Sequence, residues 1–250
     1  MCFTVAIMRE GKLITAEEYY ASKPPVKQKK VILPEIPFHY LVSGFSQPEL
    51  PVITTEGLQL YEWGLIPSWV RDEDSAAEIR TKTLNAMGET VFEKPSFRTN
   101  IGTHRCLFPV SGFYEWREFM GNKYPYFIHL PESDYFSLAS LYDRWIHPQT
   151  GEVKHTFSIV TTAANALMEK IHNVKKRMPL ILSPEDEMKW LDPTLSTDGI
   201  KKLIKPFPEE RMDAYTISRQ ANNARIHRDY PEILTPVKYP ELVAEENLLF

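Results

Sequence analysis

Arg105-Cys-Leu-Phe-Pro-Val110, then Gly112-Phe-Tyr-Glu-Trp-Arg-Glu118, a Gly121-Asn122 turn and Tyr124-Pro-Tyr-Phe-Ile-His-Leu130 spell strand, strand, tight turn, strand. The same alternation recurs on both sides. Residues 2–8 mix β-branched and apolar side chains as a strand does, and 50–55, 58–64, 135–142 and 155–161 read as further strands. Thr15-Ala-Glu-Glu18 is a capping-box pattern that opens a short helix through Tyr20, and 23–38, with four prolines and four lysines, reads as a loop. Leu65-Ile-Pro-Ser-Trp69 is an aromatic loop and 71–98 a mixed, polar stretch. Ala163–Ile171 reads as a short helix ending at His172, Met178–Leu182 as an apolar strand, and Ser183-Pro-Glu-Asp186 as the cap of another helix with Pro in its first position. The tail from Pro206 is loop-rich. No repeat or linker divides the chain. The expectation is one α+β domain over residues 1–250, with a mostly antiparallel, barrel-like β-sheet and a few peripheral helices.

Composition narrows the class. Hydrophobic residues make up 43% of the 250 and aromatics 12%, ample for a packed core. Twenty prolines against ten glycines imply many short elements with rigid turns, which disfavours a helix bundle and a doubly wound sheet alike. Cys2 and Cys106 are the only cysteines, with no CxxC and no His/Cys cluster at zinc spacing, so neither a disulfide scaffold nor a metal site is expected. With no signal pattern and no apolar run of ~18 residues, the chain reads as a cytoplasmic protein without a membrane partner.

The net charge of −4 argues at face value against nucleic acid. Its distribution argues otherwise. Residues 80–105 are net +3, 170–177 net +4 and 219–228 net +3, leaving −14 for the rest of the chain. Segregation of this kind builds a basic face on an acidic protein.

Four residues have chemistry in reach. Cys2 becomes N-terminal once Met1 is removed, and then carries an amine and a thiol, both with pKa values of roughly 8. An aldehyde meeting that pair forms an imine, and the thiol can close it to a thiazolidine. Glu115 sits mid-strand among aromatics; alternation puts Phe113, Glu115 and Arg117 on one face and Tyr114 and Trp116 on the other. Desolvation there raises a carboxyl pKa into the range of general acid–base work. His172 follows a helix, whose C-terminus favours imidazolium by up to ~2 kcal/mol. Asn85 offers an amide that can orient a substrate oxygen. Each has an ordinary counterpart: a buried first-strand cysteine, a surface Glu115–Arg117 pair, a helix-end histidine, a turn asparagine.

Taken in order, the pieces resemble the SRAP (SOS response-associated peptidase) family of abasic-site shields. They are Met1-Cys2; Asn85-Ala-Met-Gly-Glu-Thr90 with Glu93-Lys-Pro-Ser-Phe97; Arg105-Cys-Leu-Phe-Pro-Val-Ser-Gly-Phe-Tyr-Glu-Trp116; and Ile171-His172 leading to Arg177-Met-Pro179. Trp63-Gly-Leu-Ile-Pro-Ser-Trp69 is similar to the family's tryptophan loop. The resemblance implies a barrel-like domain, acting as a monomer without cofactor, that binds single-stranded DNA with abasic sites. It implies that Cys2 links covalently to the ring-opened sugar, with Glu115 as acid/base, His172 assisting ring opening and Asn85 positioning the N-terminus and substrate. Trp63 and Trp69 would stack on bases, and Arg80, Lys94, Arg98, Arg177 and Arg219 would hold phosphates. Three positions depart from the family pattern: Met87 stands where Asn-Ala-Arg is usual, Phe3-Thr4 where a basic residue is usual, and Asn173–Lys176 lengthen the step from His172 to Arg177. Two other readings remain open: a thiol peptidase that cuts its own Met1 or other peptides, and a non-covalent single-stranded nucleic-acid module.

Overall fold

The fold is described from a computed structural model, for residues 2–7 and 38–243. The helix expected at Thr15–Tyr20 and the loop over 23–38, save Phe38, lie outside those residues.

Two sheets share the work. The first runs β13-β8-β7-β1-β2, with β1 (Thr4–Ile7), β2 (His39–Ser43), β7 (Gly112–Phe119), β8 (Asn122–His129) and β13 (Asp213–Thr216), each pairing antiparallel. The β7–β8 hairpin forms as expected, but its two-residue turn is Met120-Gly121 (φ +48° and +75°) rather than Gly121-Asn122: Asn122 already pairs with Phe119, and the glycine fills the second of the two left-handed positions. The second sheet closes. β4 (Gly57–Trp63) pairs β3 (Glu49–Thr54), β3 pairs β6 (Arg105–Val110), β6 pairs β9 (Phe136–Ile146) and β9 pairs β10 (Val153–Ala163). β10 then pairs β4 in parallel, Thr156 opposite Glu62 and Phe157 opposite Trp63, completing a five-stranded barrel. The expected α+β class and single antiparallel-rich barrel are thus what the chain adopts, with one parallel seam in that ring.

β10 is long enough to serve several neighbours in turn. Beyond its contact with β4 it pairs β5 (Asn85–Met87), Ile159 opposite Asn85. Where β9 and β10 splay apart, β11 (Arg177–Pro179) and β12 (Ile181–Leu182) wedge between them: the Leu180 amide donates to Val160 and the Leu180 carbonyl accepts from Ala139. This wedge carries the segment after His172 to the barrel's end. Strands also run beyond their expected ends: β9 and β10 reach Ile146 and Ala163, so the short helix α3 (Ala166–Ile171) starts later than Ala163, capped by Asn165, whose side chain accepts from the Met168 amide.

The stretch 71–98, read as mixed and polar, contains the helix α1 (Glu73–Lys82). Its signals are end signals: the Asp72 carboxylate accepts from Ser75 at 2.7 Å, acids fill the first turn and bases the last. α2 (Asn100–Thr103), α4 (Pro184–Leu191) and α5 (Thr197–Leu203) complete the periphery. Between the sheets lies a core of Cys2, Val5, Leu50, Val52, Trp63, Phe108, Phe113 and Phe157; a second core under α4 and α5 includes Leu107, Leu141, Val160 and Trp190. Gly112 is required where β6 turns into β7, because a Cβ there would sit 2.3 Å from the Phe127 ring. No helix among the described residues is long and apolar enough to cross a membrane.

Candidate active site

β1 and β7 build the site's floor. Val5 lies opposite Phe113, two residues from Glu115 on β7, and Cys2, just ahead of β1, is near enough to feel the Glu115 charge. Cys2 is wholly buried, its thiol pointing at the Thr4 carbonyl at 3.8 Å. Burial, with the Glu115 charge adding to it, pushes the Cys2 thiol far above its ordinary value, so the resting group is S–H rather than thiolate.

Glu115 is 3% exposed, on the same inward face of β7 as Phe113 and Arg117, as alternation requires. Burial pushes its carboxyl up to about 7, although the Lys175 ammonium acts the other way. His172 caps α3, its amide donating to Met168, and its Nε2 lies 3.8 Å from Glu115 Oε2. Its Nδ1 is 2.9 Å from the Arg177 carbonyl, which can only accept. In the neutral ring the hydrogen is therefore on Nδ1, and the Nε2 lone pair faces Glu115. The helix-end argument favoured imidazolium, and the structure reverses it: burial pushes His172 down to about 4. Desolvation by β7 and β11 outweighs the field of a helix that is only one and a half turns long.

Asn85 opens β5, immediately after Leu84, which packs in the same core as Cys2. It is 7% exposed, and neither Nδ2 nor Oδ1 has a hydrogen-bond partner among the described residues. Buried amides without a partner are rare, and this one has both a donor and an acceptor to offer.

The expected DNA-contacting residues divide. Trp63 is fully buried: its Nε1 donates to the Leu84 carbonyl at 2.9 Å and its ring stacks on Phe157, so it offers no face to a base and instead fixes the entry to β5. Arg80 is buried and bonded to Glu62 at 2.6 Å. Arg177 is tied to Glu89 at 2.6 Å and to Thr161, and Arg219 stacks on Tyr124 while holding Glu241 at 3.0 Å. Those three guanidiniums are engaged in the fold. Trp69 is half exposed, and its Nε1–H reaches the Pro95 carbonyl at 3.3 Å, tying the tryptophan loop to the segment carrying exposed Lys94 and Arg98. Lys175, one of the lysines that lengthen the step from His172 to Arg177, is exposed, and its charge acts on both Glu115 and His172. Among the described residues no group of three His, Cys, Asp or Glu could hold a metal ion.

Comparison with known proteins gives the chain a family. The sequence profile of SOS response associated peptidase (SRAP) matches residues 1–224. The abasic site processing protein YoqW of Bacillus subtilis is 36% identical over 208 residues, covering 81% of this chain and 88% of that protein. The abasic site processing protein HMCES of Gallus gallus is 32% identical over 197 residues, 70% of this chain and 56% of that longer protein. A crystal structure of a Bacteroides thetaiotaomicron protein superposes with a TM-score of 0.83 at 42% identity, covering 95% of this chain and 100% of that one. The chain belongs to the SOS response-associated peptidase family.

Proposed function

We propose that this protein captures abasic sites in single-stranded DNA through Cys2, after Met1 is removed, and holds the lesion as a thiazolidine. The observation that carries the reading is the buried cluster of Cys2, Glu115 and His172, in which one carboxyl and one imidazole sit at 3.8 Å beside a residue able to present both amine and thiol. All these groups come from one chain, so a monomer suffices.

The steps follow from proton positions. An abasic sugar is mostly a closed hemiacetal; opening it needs a proton delivered to the ring oxygen while the hydroxyl on the anomeric carbon loses one. Glu115 holds a proton below about 7, and Nε2 of His172 is oriented to take it and pass it on. The Cys2 amine then adds to the aldehyde. Glu115 as carboxylate accepts the ammonium proton and returns it to the carbinolamine hydroxyl, which leaves as water. The thiol adds to the imine carbon, its proton passing to nitrogen, and the ring closes with one water released overall. The unsatisfied Asn85 amide supplies a donor and an acceptor for the sugar oxygens. Trp69, Lys94 and Arg98 provide one stacking face and two cations along the strand's path.

The test is intact mass and a denaturing gel, using protein confirmed to begin at Cys2 and a single-stranded oligonucleotide with one abasic site. A heat-stable adduct at the mass of protein plus DNA minus one water is expected; its absence overturns the proposal. Cys2→Ser should leave only an imine trappable by borohydride. Turnover of an unrelated peptide, lost in Cys2→Ala, would favour a protease instead.

A further inference from the structure

We propose that Phe45, backed by Phe3, is a stacking face for the nucleobase next to the abasic sugar; this rests on the DNA-capture reading above. Phe45 is 61% exposed, and a single exposed apolar side chain means little on its own. Its setting gives it meaning. Phe3 follows Cys2 directly, packs against the core that contains Cys2, and lies 4.9 Å from the Phe45 ring at a 45° tilt. The outer ring therefore stands one residue and one ring contact from the atoms that take the aldehyde.

The position is fixed from below and from both sides. The Gly44 amide donates to the Phe3 carbonyl at 2.9 Å, joining the two aromatic segments through the backbone. The turn Gly44–Ser46 is capped at its start by the Ser43 hydroxyl, which accepts from the Phe45 amide at 3.4 Å. It closes at Gln47, which adopts a left-handed conformation at φ 53° and donates to the Gly44 carbonyl. Beneath, Gly44 lies flat on buried Trp63: a Cβ would sit 2.8 Å from the indole, so only glycine lets the turn settle there. Phe45 is thus held outward on a core-supported turn, which removes most of the ordering cost of a contact made through it.

The substrate's connectivity names the occupant. An abasic site has lost its own base, but the nucleotides on either side keep theirs and must pass over whatever flanks Cys2. The flank here is aromatic: Phe3 follows Cys2 directly and Phe45 packs on it. Aromatic faces bind any base through its π-surface, with a modest preference for the larger stacking area of a purine, and a stack neutralises no phosphate, so this contact adds nothing to the salt slope.

The experiment uses the full chain, confirmed to begin at Cys2, and oligonucleotides carrying 2-aminopurine immediately 5′ or 3′ of the lesion. The lesion is either a true abasic site or a tetrahydrofuran analogue that lacks the aldehyde. Stacking on Phe45 predicts severalfold quenching of the fluorophore on one side, with the analogue as well as the true site. Phe45→Leu, an exposed apolar-for-apolar change, should relieve that quenching and weaken analogue binding about fivefold or more, the lower end of one base–aromatic stack; Phe45→Trp should retain both. Quenching and affinity unchanged in Phe45→Leu on both sides overturn the platform, even if the covalent adduct forms normally. Wild-type quenching with the analogue and no adduct with the true site would leave the platform standing and overturn the capture chemistry.

Discussion

His172 Nε2 faces Glu115 Oε2 across 3.8 Å, while the Arg177 carbonyl holds the other side of the imidazole. Burial acts on both partners in the direction that removes charge: Glu115 goes up to about 7 and His172 down to about 4. Between those values the pair carries one shared proton and no net charge. In the proposed capture, amine attack needs Glu115 as carboxylate, and loss of water from the carbinolamine needs it protonated. The rate constant for adduct formation should therefore be bell-shaped with its maximum near 7, and Glu115→Gln should lower it by about 10²–10⁴ and erase the inflection there. Timed samples on denaturing gels measure it. A variant with full rate and an unchanged profile would remove Glu115 from the chemistry.

The same carboxyl makes a stability prediction of opposite sense. Its folded value of about 7 lies above the ordinary 4.5, so the native state holds this proton more tightly than the unfolded chain does. Stability from this group is fully present below 4.5 and is lost as pH rises through 7, by up to about 3 kcal/mol. His172 has the reverse sign, its contribution being present above 6.5 and lost as pH falls through about 4, but it is common to both proteins compared. Urea melts should show Glu115→Gln equal to wild type at pH 4.5 and more stable by up to about 3 kcal/mol at pH 8. Equal stability at both pH values would mean that the ionised carboxylate is not strained by its burial.

Local chemistry was legible in the sequence, and long-range closure was not. The β7–β8 hairpin was legible from Gly121 between two strand-like runs, with its turn one residue earlier than Gly121-Asn122, and the two-residue period of β7 put Glu115 on the face of Phe113 and Arg117. The ring closes through Glu62 opposite Thr156, a parallel contact between segments far apart in sequence, with no turn to announce it. α1 escaped notice because its core-facing side is little more than Ala76 and Ile79, too short a stripe to show periodicity. At the site, the residue types at Cys2, Glu115, His172 and Asn85 were visible. The charge state of His172 was not, because a helix end is a local feature whereas burial by β7 and β11 is assembled by the fold. Trp63 and Trp69 looked alike in one loop, and only packing separates the core residue from the surface one.

That separation is testable. Trp63→Ala empties a fully buried site and removes the hydrogen bond to Leu84, so a loss of about 3–5 kcal/mol in urea melts is expected. Trp69→Ala removes a half-exposed ring and should cost under about 1 kcal/mol of stability. It should instead weaken binding of a tetrahydrofuran-containing single strand by about 1–3 kcal/mol in fluorescence anisotropy. Normal DNA affinity in Trp69→Ala would take the exposed ring off the strand's path.

Lys175 and Arg177 make the complementary contrast among cations. The loop between them and His172 is pinned: the Lys176 amide donates to the His172 carbonyl, Lys176 adopts φ 49°, and the Asn173 side chain pairs with both the amide and the carbonyl of Glu118. Lys175 projects from this frame with no ion pair among the described residues, whereas Arg177 spans Glu89 and Thr161. A free ammonium on a fixed loop releases counterions when it meets a phosphate; a guanidinium already paired has little to release. Lys175→Ala should thus weaken single-strand binding evenly across sequences and reduce the magnitude of the slope of log K against log salt by about 0.7. Arg177→Ala should leave the salt slope nearly unchanged and cost about 1–3 kcal/mol of stability through the orphaned Glu89 and Thr161 partners. Salt titrations by anisotropy, with urea melts of both variants, read the two effects separately, and the opposite assignment of slope and stability would reverse their roles.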